Sequence, residues 1–255
     1  TNKWLYWPAL PWTAVVAGAA ILGYQLQGIR LALLAGIGVG YLCVFGQWEP
    51  SLETLSFVLV CAPICFILGL GFGIWGYLNR TVEAALEPLL NCMQTLPHFS
   101  YLVPVMVLFG VGDHAGAVAT IIFATPPMIR LTILGLRKVS PDIVDSGSMS
   151  GCSKFQLLFR VLIPTARTDI LIGVNQVIMQ CLAMTTIAAF IGARGLGFNL
   201  KVALNSLEIG KASEIGLCVV LIAVILDKYS LAWANKQKDY FSDLNFFQRY
   251  RPYIG

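Results

Sequence analysis

Few side chains in this 255-residue chain are able to do chemistry, and their spacing narrows what that chemistry is. The acids are scattered, and no glycine-rich segment ends in Gly-Lys-Ser or Gly-Lys-Thr, so the chain has no site of its own for hydrolysing ATP. Cys61 and Cys65 share a helix face at i,i+4, yet no histidine or carboxylate lies near them in sequence to complete a metal site. Six of the seven cysteines (Cys43, Cys61, Cys65, Cys92, Cys181 and Cys218) lie within or beside apolar stretches, where a thiol packs as a small hydrophobe, so no disulfide framework is expected. His98 beside Pro97 reads either as a proton sensor or, as is commoner, as a hydrogen-bonded histidine at a kink, and His114 with Asp113 as a solvated loop residue. No Ser/His/Asp or Cys/His set assembles in one layer, so the chain is not expected to be an enzyme. What remains is a row of amides and hydroxyls inside one apolar stretch: Asn175, Gln176, Gln180, Thr185 and Thr186. Such groups are costly toward lipid, so they either line a solute pathway or bond another helix; both readings stay open.

The elements that must position these residues are membrane helices. Of the residues, 57% are hydrophobic and 12% charged, with a mean hydropathy of +0.75, whereas an ordinary soluble domain carries roughly 25% charge. The net charge of +4 is dispersed between apolar runs, which excludes a nucleic-acid surface and fits a membrane topology. A spanning helix needs roughly 20 apolar residues, and seven stretches approach this: 10–27, 29–46, 55–77, 90–110, 116–136, 168–191 and 213–233. Pro97 and Pro104 interrupt the fourth, while Pro126, Pro127 and Arg130 crowd the fifth. With the N-terminus outside and the C-terminus inside, Arg30, Arg80, Arg130, Arg137, Lys138, Lys154, Arg160, Arg167, Lys228, Lys236, Lys238, Arg249 and Arg251 are cytoplasmic. Only Lys3, Arg194, Lys201 and Lys211 then fall outside. Trp4, Trp7, Trp12, Trp48, Trp75 and Trp233 all fall near span ends, as interfacial anchors do, and residues 1–12 read as such an anchor rather than a secretory leader. Gly36 with Gly40, and Gly69 with Gly71 and Gly73, offer faces for close helix approach, either inside the subunit or between copies.

The longest loop between spans, 137–167, reads as two short helices joined by a glycine turn. Ser140-Pro141-Asp142 offers an N-cap, a proline in the first turn and an early acid, and this helix should stop near Gly151. Ser153-Lys154-Phe155-Gln156 has capping-box spacing, and Phe155, Leu158, Phe159 and Leu162 should then share one face until Pro164 ends the run. A compact knob is expected to project from the membrane.

Asp145-Ser146-Gly147-Ser148-Met149-Ser150-Gly151, followed by Leu162-Ile163-Pro164, resembles the EAA loop of ABC importer permeases, with aspartate for the usual glutamate and serine and glycine for the alanines. Met93-Gln94-Thr95-Leu96-Pro97, Tyr101-Leu102-Val103-Pro104, Leu108-Phe109-Gly110, residues 121–132 and Gly195-Leu196-Gly197 are similar to the permeases of glycine betaine/proline importers. The resemblance covers roughly residues 55–233. It implies an all-α polytopic membrane protein of about seven transmembrane helices with a type I ABC importer permease fold and a cytoplasmic coupling helix. It further implies two paired permeases, two cytoplasmic ATPases that hold ATP and magnesium, and an extracytoplasmic substrate-binding protein, with no cofactor in this chain. The residues matched to ATPase coupling are Asp145, Ser146, Gly147, Ser148, Gly151, Cys152, Ser153, Lys154, Phe155 and Pro164. Residues 1–54 form an N-terminal anchor with the first two spans, 55–233 the permease core, and 234–255 an aromatic, basic tail that meets either the inner membrane surface or the ATPase. The implied solute is a small osmolyte such as glycine betaine, proline betaine, choline or trimethylamine oxide. The alternatives are another small solute, or an ion-coupled secondary transporter; the latter calls for mid-membrane ionisable groups and inverted repeats, which the sequence lacks.

Overall fold

Helices form where the apolar stretches lie, and glycine, asparagine or proline marks most of the breaks between them. A computed structural model describes the backbone of residues 12–250 and the side chains of residues 13–234. The anchor tryptophans Trp4 and Trp7 and most of the aromatic tail's side chains lie outside that range.

Helices α1 (Trp12–Gln27) and α2 (Ile29–Val44) form a hairpin whose turn is the single residue Gly28, at φ 82°, a left-handed conformation that glycine adopts without steric cost. The helices touch closely because a Cβ on Gly23 would stand 3.0 Å from the backbone of Leu31 and Ala32, while Gly36 faces Ala20. Helix α3 (Trp48–Leu78) runs through Pro63 without a break, and Asn79 then caps α4 (Arg80–Thr95) by accepting a hydrogen bond from the Thr81 N–H. After α5 (Phe99–Phe109), three glycine-marked residues lead into α6 (Asp113–Arg137). A knob follows, then α10 (Arg167–Ala188), a short turn to Ile191, α11 (Leu196–Asn205) and α12 (Ile209–Tyr250).

The core is built where α3, α6 and α10 meet, and small residues set the spacing. Met128 of α6 is fully buried between two glycines: a Cβ on Gly69 would stand 2.4 Å from its Cβ and Cγ, and one on Gly173 of α10 2.7 Å from its sulfur. One turn along, Gly73 faces Thr132, and Gly135 faces Asp169 and Ala166. In a bilayer, lipid tails are as apolar as the side chains, so this close van der Waals fit carries the association. Gly69 and Gly73 thus serve packing inside the subunit, whereas Gly71 and Gly40 face open space. Cys61, Cys65 and Cys181 are buried and free in this core, as small hydrophobes.

Four helices among the described residues, α3, α6, α10 with its following turn, and α12, are long and apolar enough to cross a bilayer unbroken. The hairpin helices have 16 residues each, about 24 Å at 1.5 Å per residue. The fourth expected span, 90–110, is corrected: α4 begins ten residues earlier and meets α5 at an angle of 102°. Pro97 causes the break, because a proline pushes the preceding residue out of helical conformation, and Leu96 is extended at φ −67°, ψ 135°. Pro104, Pro126 and Pro127, in contrast, lie inside continuous helices.

Candidate functional site: the knob and the polar faces beside it

The knob starts where Lys138 ends α6 and pairs with Asp169 at 2.7 Å, which ties the entry of the loop to its exit. Helix α7 (Pro141–Met149) has Ser140 at its N-cap position and Pro141 in its first turn, and its N-terminus is closed by backbone bonds to the Ser140 carbonyl rather than by the serine hydroxyl. Met149 is its last residue, and Gly151 turns the chain at φ 77°. The Ser153 hydroxyl then accepts from the Gln156 N–H, and the Gln156 side chain accepts from the Ser153 N–H, so the capping box is complete.

Beyond α8 (Lys154–Leu157) the structure departs from expectation. The turn Leu158–Leu162 widens to i→i+5 hydrogen bonding before α9 (Ile163–Thr165), and Pro164 sits inside the helical run instead of ending it. Proline has no N–H to offer Arg160, and the wider turn absorbs that loss. The expected apolar face is also divided. Leu158 and Leu162 are buried in the core, while Phe155 and Phe159 stack outward with ring centroids 4.4 Å apart.

Apart from Pro164, the matched coupling residues fall into three groups. Asp145, Ser146, Ser148, Ser153, Lys154 and Phe155 are exposed, and Ser146 and Ser148 return their hydroxyls to the carbonyls of Asp142 and Val144. Gly147 points inward: a Cβ there would stand 2.7 Å from Leu157 Cδ1, so this glycine sets how closely the two limbs of the knob pack. Gly151 has open space around it and serves the turn, and Cys152 is half-buried, its N–H bonded to the Gly147 carbonyl. Met149 is 89% exposed and Phe155 70%, so the knob carries large apolar side chains on its surface.

The polar residues of α10 separate. Asn175 donates to Asp227 of α12 at 3.0 Å, and Thr185 is buried with its hydroxyl donated to the Cys181 carbonyl of its own helix. Asn175 thus bonds another helix, while Thr185 is satisfied within α10. Gln176 is exposed and Gln180 half-buried, so the open face belongs to them.

Sequence reasoning missed a longer polar face on α4. Glu83, Glu87, Asn91 and Gln94 recur at i, i+4, i+8 and i+11, a helical stripe that was readable from residue 80 onward. Two of them bond α6: Glu83 pairs with Arg137, and Asn91 accepts from Arg130 at 2.6 Å. With Leu90 its one buried residue, α4 is held to α6 largely by polar contacts.

At the far end of the bundle, Leu196 N–H donates to Thr54 Oγ1 at 2.9 Å and Arg194 N–H to Asp113 at 2.8 Å. Lys201 donates to the last carbonyls of the α10 turn, Ala189 and Phe190, where a cation complements the helix dipole. Gly195-Leu196-Gly197 is fixed by proximity: a Cβ on Gly195 would meet Thr54 Oγ1 at 2.5 Å, and one on Gly197 the Thr186 Cα at 2.8 Å. The described basic residues thus divide between two ends of the bundle, with Arg80, Arg137, Lys138, Lys154, Arg160 and Arg167 at the knob end.

Residues 65–232 match the family described as binding-protein-dependent transport system inner membrane component. The chain is 59% identical over 248 residues to the trimethylamine N-oxide transport system permease protein TmoV of Pelagibacter ubique, covering 97% of this chain but 35% of the relative. It is 39% identical over 219 residues to the glycine betaine transport system permease protein OpuAB of Bacillus subtilis, covering 86% of this chain and 78% of the relative. The chain thus spans about a third of the length of its trimethylamine N-oxide relative. Among solved structures, an inward-facing conformation of the MetNI methionine ABC transporter superposes with a TM-score of 0.66 at 18% identity, over 76% of this chain and 97% of that one.

Proposed function

Since the chain belongs to the family of binding-protein-dependent transport system inner membrane components, we propose that it forms the translocation pathway of an ATP-driven importer for small methylated-amine zwitterions, trimethylamine N-oxide and glycine betaine first among them. The knob is the observation that carries this reading. It is a capped, glycine-hinged pair of short helices that exposes Met149, Phe155 and Phe159. Small exposed residues flank this tip, so a partner's backbone can approach it closely.

In this reading two copies of the chain pair, a separate ATPase carrying ATP and magnesium grips each knob, and an extracytoplasmic binding protein delivers the solute. The knob end faces the cytoplasm, because it gathers the basic residues, so the N-terminus is outside and the C-terminal tail inside. Asp145 offers a carboxylate for a charge-assisted bond to the ATPase, and Phe155 and Phe159 an apolar anchor. ATP-driven approach of the ATPases brings the knobs together and turns the pathway, lined by Gln176 and Gln180, from inward-open to outward-open. The names of the relatives support the solute class. The reading is tested by gentle purification from native membranes followed by mass spectrometry of the bound partners and of the binding protein's ligand. An ATPase and a binding protein loaded with a methylated amine are expected; reproducible recovery of the chain alone refutes it.

A further inference from the structure

The polar stripe of α4 and the basic residues of α6 enclose a groove of about 330 Å³ at the knob end, walled by Glu83, Glu87 and Asn91 on one side and Arg130 and Arg137 on the other. Leu90 and Ile133 are among the apolar residues that line it. The charges within it are unevenly used. Arg137 pairs with Glu83, and Arg130 donates to Asn91. Glu87 stands one helical turn from each of those two acceptors, exposed and with no hydrogen bond or ion pair among the described residues. Arg130 makes no further bond among them, so a guanidinium with five N–H donors uses one contact.

An open carboxylate and an under-used guanidinium on facing walls match a small solute that carries both charges. A quaternary ammonium is attracted by Glu87 but has no N–H to donate, whereas a carboxylate or N-oxide oxygen accepts from Arg130. Apolar side chains between them suit the methyl groups. We propose that this groove is a release station for the zwitterionic solute, with Glu87 taking the cationic head and Arg130 the anionic oxygen. The inference rests on the substrate reading above and adds a low-affinity site within this chain, distinct from whatever site loads the solute.

A station at the release end is occupied by solute that has accumulated inside, so it makes import sensitive to internal solute. The test uses the whole importer in proteoliposomes, following uptake of radiolabelled glycine betaine into vesicles preloaded with graded unlabelled glycine betaine, or with glycerol at equal osmolarity. Uptake by the unaltered importer is expected to fall with internal glycine betaine and not with glycerol. In Glu87→Gln the half-inhibiting internal concentration, taken relative to that variant's own uptake into empty vesicles, should rise about tenfold, and Glu87→Asp should restore part of it. Ile133→Trp, which fills the groove without touching a charge, should raise it likewise. An unchanged half-inhibiting concentration in Glu87→Gln and Ile133→Trp, or uptake by the unaltered importer that ignores internal glycine betaine, overturns the station. If the unaltered importer takes up neither glycine betaine nor trimethylamine N-oxide into empty vesicles, the substrate reading fails first and the station falls with it.

Discussion

Met128 sits between Gly69 and Gly173, and a methyl group added at residue 69 tests how much that fit contributes. In Gly69→Ala the new Cβ would lie 2.4 Å from Met128 Cβ and Cγ. Ordinary carbon contacts are about 3.5–4.0 Å, so one side must retreat by more than an ångström. The atoms met are at the root of the methionine, so a change of rotamer does not relieve the clash and the backbones of α3 and α6 have to separate. Overpacking of this kind costs about 1–3 kcal/mol, and the upper half of that range applies here. Alanine returns about 1 kcal/mol as the better helix former, which leaves a net loss of about 1–2 kcal/mol. The measurement is a double-mutant cycle on thermal or denaturant unfolding in detergent, with Met128→Gly, which removes both atoms met, and the double variant. Met128→Gly alone should also destabilise, by emptying the space between the glycines and placing a further glycine inside α6. The double variant should lose less than the sum, with a coupling of about 1 kcal/mol or more. Additive losses, or a Gly69→Ala protein as stable as the parent, would refute the argument that this contact sets the helix spacing.

Three further outcomes follow from other parts of the structure. Gly151→Val forces a β-branched residue to the φ of 77° at the knob's turn, at a strain of about 1–3 kcal/mol, so ATP hydrolysis by the reconstituted complex should no longer track uptake while the chain still reaches the membrane. Removing the outward ring pair with Phe155→Ala and Phe159→Ala should cut recovery of the ATPase in pull-downs at least tenfold without lowering the unfolding midpoint, since both rings are exposed. At the other end, Thr54→Val keeps the shape but removes the acceptor of the buried Leu196 N–H, and should cost about 1–3 kcal/mol in the same unfolding assay.

Much of the bundle was legible because a bilayer makes apolar length the dominant signal, and the seven stretches each contain helix. The knob's start, its glycine turn and its capping box were also readable, since caps depend on a few local residues. What escaped the sequence depended on neighbours. The wide turn at Leu158–Leu162 begins six residues before the Pro164 that calls for it, and packing against the bundle decides that Leu158 is buried while Phe159 stays exposed. Asn175 and Gln176 are adjacent and alike in polarity, yet the position of Asp227, 52 residues away, decides which one is tied to a helix. The α4 stripe was overlooked for a different reason: a search for apolar runs starts only where polarity ends, so an amphipathic helix that leads into a span is truncated to its apolar end.

The wide turn and the short α9 leave a single residue, Ala166, between the knob and α10. With no flexible linker to absorb displacement, a shift imposed on Phe155 and Phe159 becomes a tilt of the helix that follows. Helix α10 has 22 residues, about 33 Å at 1.5 Å per residue. A tilt of about 10° about one end therefore carries the other end by about 6 Å. In the proposed importer that is a mechanical advantage: a small stroke at the knob would be delivered, amplified by length, to the Thr185–Gly197 contact at the opposite face.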